Sequence, residues 1–414
     1  MRIAVIGGGI SGMVAAYILC RDHDITLFES EDRIGGHTHT VTVREGGRAL
    51  PVDTGFIVFN DWTYPNFCKL IDRLGVAWQY SDMSFSVTSR RSGLEYQGSS
   101  LGGLFAQRAN LLRPSFYRML ADILRFNRHA KALADAPGDE LPLAEFVRRH
   151  RYGRAFIENY LVPMGSAIWS ADPAGLNDFP ARYMAGFYKN HGMLNIRHRP
   201  RWRVIQGGSC RYIEPLTAPY RERIRLGCRV GSVTRADDHV EIRGERFGTE
   251  RFDAVILACH SDQALALLSD PSQMEREILG AIPYQANETV LHTDTSILPK
   301  RRRAWAAWNY LIPENIRGRA TLTYNMNVLQ TLPARKTYCV SLNSHDLISP
   351  AETLRAMTYH HPVYTLGGVR AQQKRDEING VRRTWFCGAY WGYGFHEDGV
   401  NSALAVCRDF GKSL

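Results

Sequence analysis

The feature that most constrains this chain is Gly7-Gly8-Gly9-Ile10-Ser11-Gly12, a G-x-G-x-x-G run. It lies between an apolar stretch, Ile3-Ala4-Val5-Ile6, and a helical apolar stretch from Met13 to Leu19. Gly7 permits the tight turn out of a strand, Gly9 lets the backbone approach a pyrophosphate, and Gly12 lets the helix lie close to the sheet. The helix N-terminus, at Ile10 and Ser11, offers unbonded N–H groups and the positive dipole end to phosphate. Asp24 to Glu29 reads as a second strand ending in an acid. Glu29 stands ~20 residues on, where an acid accepts from a ribose hydroxyl. Strand, glycines, helix, strand and acid in this order predict a dinucleotide-binding Rossmann unit.

The rest of the 414 residues leaves room for a second domain. No stretch approaches the ~18 uninterrupted apolar residues of a membrane span. The chain opens directly on an apolar strand, so no secretory signal is read. Eight scattered Cys, with no Cys-x-x-Cys pair, argue against a disulfide framework or a metal site and fit a reducing cytoplasm. The net charge of +10 is nearly all arginine, with only seven Lys. Such charge suits an anionic substrate, a membrane surface or simple solubility. No nucleic-acid motif accompanies it.

Glu29-Ser30-Glu31-Asp32-Arg33-Ile34-Gly35-Gly36-His37 resembles the extended fingerprint of the flavin-containing amine oxidase superfamily. The resemblance implies FAD rather than NAD. It implies that Glu29 and Ser30 lie at the ribose, that Arg33 helps neutralise the diphosphate, and that Gly35 and Gly36 let the chain close over the cofactor. His37 stands where the family often has Arg, and a local hydrogen-bonding role is expected of it. Val52-Asp53-Thr54-Gly55-Phe56 resembles the segment passing beside the flavin, with Thr54, Gly55 and Phe56 at the cofactor. Ile205-Gln206-Gly207-Gly208-Ser209 resembles the glycine pair returning the chain to the FAD domain, and Val230 or Val233 would then meet the adenine. Near the C-terminus, Thr384 to Tyr390 reads as a strand ending in a tight turn, followed by a helix from Asn401 to Phe410. Here the family brings a glycine to the ribityl chain, implicating Gly388 and Ala389, and points a helix N-terminus at the flavin. This chain has Asp398-Gly399-Val400 where the family has Glu-Gly-Ala.

The expected fold is therefore α/β, a Rossmann-type FAD-binding domain with a second, α+β substrate domain. The FAD domain is discontinuous, over 1–60, 203–283 and 380–414. The substrate domain takes 61–202 and 284–379, with a helical insertion over about 100–200. Helical spacing marks Phe105 to Leu133 and Leu143 to Tyr160, broken at Arg113-Pro114 and Pro137-Gly138. Arg229 to Val233 and His239 to Ile242 read as a hairpin. Phe252 to Cys259, Asn287 to Asp294, Ala304 to Ile312 and Tyr338 to Asn343 read as strands.

Candidate catalytic residues are Trp391, Tyr393 and His396, which take the region where the family flanks the flavin with aromatics. The family's usual lysine is missing: Gln285 to Asp294 contains none, and Lys300 falls in a polar loop. The chain, through Tyr359-His360-His361-Pro362 and Cys387 to Gly399, resembles a bacterial branch of NAD/FAD-binding proteins. It is also similar to the flavin domain fused to plant cyclopropane-fatty-acid synthases. That resemblance implies a small-molecule or lipid substrate, with hydride leaving an acyl chain. An amine oxidase producing hydrogen peroxide, and a non-redox flavoprotein such as an isomerase or an accessory subunit of a lipid-modifying complex, remain alternatives. Arg197, Arg199, Arg201 and Arg203 alternate with other residues; if extended, one face carries all four. That face reads either as a peripheral contact with the inner surface of a membrane or as a charged edge that blocks strand pairing. His360 and His361 are candidates for a covalent flavin bond.

Overall fold

β1 (Arg2–Ile6), buried at four of its five positions, is the centre of the first sheet, and α1 (Ile10–Leu19) and β2 (Asp24–Phe28) follow it. The computed structural model describes residues 1–314 and 318–414. The sheet runs Ile224–Arg225, β2, β1, Ala254–Leu257, Thr384–Phe386, all parallel. Every residue of α1 is buried, because the sheet covers one side and the C-terminal helix (His396–Asp409) the other. A helix apolar all round is what such double coverage requires.

The expected hairpin forms, between Val230–Arg235 and Val240–Gly244, with a third strand at Gly248–Phe252. The strand expected over 252–259 is two elements. Asp253 turns the chain by donating its N–H to the Arg2 carbonyl (2.8 Å) and accepting from the Arg2 N–H (2.7 Å). The C-terminal helix starts at His396, five residues before the expected Asn401. Gly399 thus lies inside its first turn. A Cβ there would meet Ile10 Cγ2 at 2.7 Å and Ser11 Oγ at 3.0 Å, so the glycine lets two helix N-termini meet.

The second sheet has seven strands: Thr353–Pro362, Tyr284–His292, Cys339–Leu342, Leu322–Asn325, Trp308–Ile312, Phe85–Ser89 and Leu94–Gln97. All pairs are antiparallel except Phe85–Ser89 with Trp308–Ile312. Trp308, not Ala304, opens its strand, since Arg302–Ala304 is a helical turn. The helical segment caps this sheet. Pro114–Asp135 begins at a proline and stops before Pro137, as the punctuation predicts. The stretch 105–113 holds only a short turn, Arg108–Leu112, and 143–160 breaks where Arg151 adopts a left-handed φ of 50°. Among the described residues, no helix is long and apolar enough to cross a membrane.

Helix Pro65–Arg73 departs from the expected domain division. It buries Phe67, Leu70 and Ile71 in the core of the parallel sheet. Its N-terminus has no cap of its own. Glu397, in the first turn of the C-terminal helix, accepts instead from the N–H groups of Asn66 (3.0 Å) and Phe67 (2.8 Å).

The tightest backbone approach is at Gly12, whose Cβ would fall 2.0 Å from the Gly7 carbonyl. Gly12→Ala must push α1 off β1. The expected outcome is purified protein without flavin absorbance and an unfolding free energy lower by at least ~1–3 kcal/mol, read from absorbance spectra and urea titration.

Candidate active site

The glycine loop and the second-strand acid form one cradle. Glu29 Oε2 accepts from the Gly8 N–H (2.8 Å), while Oε1 accepts from the Glu31 N–H (2.9 Å) and Ser30 Oγ (3.2 Å). The Gly35 N–H donates to the Gly8 carbonyl (2.8 Å), and a Cβ on Gly36 would touch Gly9 Cα at 3.1 Å. The 35–36 pair, at φ of 125° and 57°, thus folds over the glycine loop. Arg33 spans the same corner, donating to the carbonyls of Gly36 (2.9 Å) and Thr38 (3.4 Å). Cys228 donates to the Glu29 carbonyl (2.8 Å), which sets Val230, buried at the head of the three-stranded sheet, close to the acid.

A cavity of about 660 Å³ lies between the seven-stranded sheet, which contributes Phe85, Tyr96 and Trp308, and the helical segment, which contributes Tyr160, Met164 and Phe187. His37, Thr54, Gly55 and Phe56 line its inner end, on the FAD-domain side, together with His396. Its walls are largely aromatic, including Tyr96, Trp169, Phe187, Trp308, Tyr324 and Tyr364. Gly98, Ser99, Arg199 and Arg201 also line it.

His396 is the first residue of the C-terminal helix. Its ring stacks on Phe56 (centroids 3.5 Å apart, planes at 10°), and Nε2 lies 3.0 Å from Thr38 Oγ1 and 3.1 Å from Tyr212 Oη. Burial, reinforced by His37, holds its pKa well below the ordinary value, so the imidazole is neutral. Tyr393 also lines the cavity, its ring 4.5 Å from that of Tyr183. Trp391 does not join them. Its indole N–H donates to the Phe386 carbonyl (3.1 Å) and its ring packs on Tyr390 in a separate core, so it is removed from the candidate catalytic set. Asp398 turns inward, accepting from the Phe395 N–H (2.9 Å). Gly388 donates its N–H to Ser402 Oγ (2.9 Å), fixing the strand-to-turn corner beside Ala389 on the helix that carries Gly399 and Val400.

His37 makes ring contacts in place of the expected hydrogen bond: its centroid is 5.1 Å from Tyr359 and 5.4 Å from His361. Strand alternation explains which residues of 359–361 reach the cavity. Tyr359 and His361 line it, whereas His360 is exposed. Tyr359 Oη bonds Thr54 Oγ1 (2.8 Å) and His39 Nδ1 (2.9 Å), pinning the 54–56 segment.

Sequence reasoning missed the amide chain behind His361. The Asn343 Oδ1 accepts from the Glu288 N–H (3.1 Å), so its Nδ2 is the end that donates to Ala320 O (3.1 Å) and Asn287 Oδ1 (2.8 Å). Asn287 Nδ2 must then donate to His361 Nδ1 (2.9 Å). The ring is thereby held as the Nε2–H tautomer. Burial, with His37 and His360 nearby, lowers its pKa to about 3, so it is a permanent neutral donor. Asn287 lies on the strand Tyr284–His292 and Asn343 just past the strand Cys339–Leu342, 56 positions apart, and no local sequence signal pairs them.

The segment Arg197 to Val204 is not extended. His198 sits at φ 57° and Arg199 Nε donates to the Asn195 carbonyl (2.7 Å), leaving only Arg203–Ile205 as strand. The four guanidiniums therefore do not share a face. Those of Arg201 and Arg203 lie over Tyr80 (3.6 Å) and Trp78 (4.0 Å), and Arg203 also pairs with Asp61 (2.8 Å).

Residues 10–301 match the family model described as flavin containing amine oxidoreductase. The chain belongs to this family. It is 26% identical over 182 residues to protoporphyrinogen oxidase 2 of Arabidopsis thaliana, covering 42% of this chain and 34% of that protein. It is 25% identical over 281 residues to a putative flavin-containing monoamine oxidase of Mycobacterium tuberculosis, covering 65% and 59%. The chain thus spans between a third and three fifths of these curated relatives. Its fold matches a putative protoporphyrinogen oxidase from Exiguobacterium sp. 255-15 (TM-score 0.71, 19% identity, 99% of this chain and 98% of that one). It also matches the CLA-producing fatty acid isomerase from P. acnes (TM-score 0.69, 17% identity, 99% and 98%).

The family's cofactor is FAD, and the cradle fits it. α1 has no side-chain cap, a Cβ on Gly9 would meet open space, and Ile10 and Ser11 are buried. Buried helix-end N–H groups with no protein acceptor are what a diphosphate satisfies. Glu29 retains acceptor capacity for a ribose hydroxyl.

Two tests follow from the site. Asp398 has its pKa raised by burial to about 7, against an ordinary value near ~3.9. A raised folded-state value means stability is fully present below the ordinary pKa and is lost as pH rises through the folded one. Thermal midpoints of the holoprotein should therefore fall more between pH 5 and 8 for wild type than for Asp398→Asn, which keeps an acceptor oxygen. Asn287→Leu should replace a single His361 tautomer with a mixture, seen in ¹⁵N NMR, and lower stability by ~1–3 kcal/mol through unpaired buried groups.

Proposed function

We propose that this chain is an FAD-dependent oxidoreductase in which hydride leaves an acyl chain held in the 660 Å³ cavity. Bound FAD would accept the hydride, and the hydrogen on the neighbouring carbon would leave as a proton to the neutral His396 imidazole at the inner end, forming the carbon–carbon double bond. The protein's part is to hold the chain and exclude water. The cavity carries the argument: it is walled by aromatic side chains, and its charged lining residues are only Asp82, Arg199 and Arg201. Such a lining favours an extended apolar substrate over a hydrophilic one. At the inner end, His361 offers a fixed N–H donor and His396 a neutral ring, so neither adds a charge that repels an apolar chain. Arg199 and Arg201 line the same cavity and are exposed, suited to a carboxylate or phosphate head group.

A non-redox role is the second reading, favoured by the shared fold of the P. acnes protein described as a fatty acid isomerase. An amine oxidase is the third, favoured by the M. tuberculosis relative. Anaerobic mixing separates them through the oxidised flavin band. Bleaching by phospholipid or free fatty acid, and not by an amine panel, is the expected result. Bleaching by amines alone would overturn the acyl reading, and double-bond migration without bleaching would establish an isomerase.

A further inference from the structure

The helical segment carries an apolar surface that the substrate cavity does not use. Leu112 is 88% exposed, Leu101 76% and Leu111 50%, with Tyr117 and Leu124 half exposed on the helix that follows. These residues belong to one module. Tyr117 Oη donates to the Leu111 carbonyl (3.1 Å), Phe105 packs against Tyr117, and Asn110 Nδ2 donates to the carbonyls of Leu104 (3.3 Å) and Glu95 (3.0 Å). The same strand anchors a basic loop: Glu95 accepts from the Lys300 N–H (2.9 Å) and pairs with Arg301 (2.7 Å). Arg301, Arg302 and Arg303 share a surface hollow with Arg108.

Charge on this face is one-sided. Between 98 and 134 the sequence has a single acid, Asp122, which is buried against Arg125. Arg108, Arg113, Arg118, Arg302 and Arg303 have no ion-pair partner among the described residues. Exposed leucines beside unpaired guanidiniums match the layering of a bilayer surface, where apolar side chains enter the acyl boundary and cations meet anionic head groups. A second copy docked here by twofold symmetry would set these arginines against themselves. The surface also begins at the cavity: Gly98 and Ser99 line it, and Ser100 caps the turn Leu101–Leu104.

We propose that the face bearing Leu101, Leu111, Leu112, Arg108, Arg302 and Arg303 docks on an anionic phospholipid bilayer, at the rim of the substrate cavity. The inference rests on the acyl-chain reading for its purpose, though not for its geometry. Docking there lets an acyl chain pass from the membrane into the cavity without crossing water.

Co-sedimentation of the FAD-loaded protein with vesicles tests it, using phosphatidylcholine alone and phosphatidylcholine with phosphatidylglycerol. Wild type should bind the anionic vesicles, and binding should weaken as salt rises. Leu111→Ser/Leu112→Ser should weaken it by about tenfold or more, and Arg302→Gln/Arg303→Gln should remove the preference for phosphatidylglycerol. Both variants should keep wild-type flavin content and wild-type flavin reduction by detergent-dispersed fatty acid. Absence of wild-type binding, binding unchanged in both variants, or a dimer lost in the leucine variant by analytical ultracentrifugation would each overturn the proposal. Vesicle binding without flavin reduction by any acyl compound would leave docking standing and overturn the acyl-chain reading.

Discussion

The architecture depends on bringing two helix N-termini to one place. α1 and the C-terminal helix lie against each other, and only a glycine at 399 lets Ile10 and Ser11 approach so closely. The α1 end presents backbone donors with no side-chain cap, whereas the C-terminal helix opens with Glu397 and Asp398, the latter accepting from the Phe395 N–H. The uncapped α1 end favours an anion beside it. The cradle of Glu29, Gly35 and Gly36 closes around that end and fits the flavin cofactor of the family.

From that point the cavity is fixed by a few long-range bonds. Asp53, fully buried, accepts from the Ser209 N–H (2.9 Å) and from Gln330 Nε2 (3.0 Å), joining the segment before Thr54 to two distant parts of the chain. Tyr359 then secures Thr54 from the second sheet. The inner wall is thus built from both domains, and its polar groups are neutral or already satisfied. That is the environment in which an apolar substrate outcompetes water.

Much of this was legible in the sequence where one local rule decided the outcome. The glycine run, the acid at 29 and the hairpin at 230–244 each obey turn or periodicity rules that neighbours do not override. Failures came where packing overruled locality. The helix expected from Asn401 begins instead at His396, and Gly399 fits its first turn because the space of a side chain is filled by Ile10. Alternating arginines at 197–203 mimic a strand, but a left-handed His198 and stacking on Tyr80 and Trp78 break the repeat. Helix Pro65–Arg73 followed its cap, Glu397, into the other core. Asn287 and Asn343 meet because Leu342 pairs with Thr289, which brings the residue after one strand beside the other strand, a relation no local window contains.

Glu397 gives the structure a mechanical linkage. One turn of helix both faces the cofactor cradle and, through a single carboxylate, holds the start of Pro65–Arg73. The residue just ahead of that helix, Tyr64, is part of the cavity wall. A displacement of this helix end is therefore passed on to the wall of the chamber. The position of the cradle's helix and the shape of the chamber are thus coupled through one carboxylate.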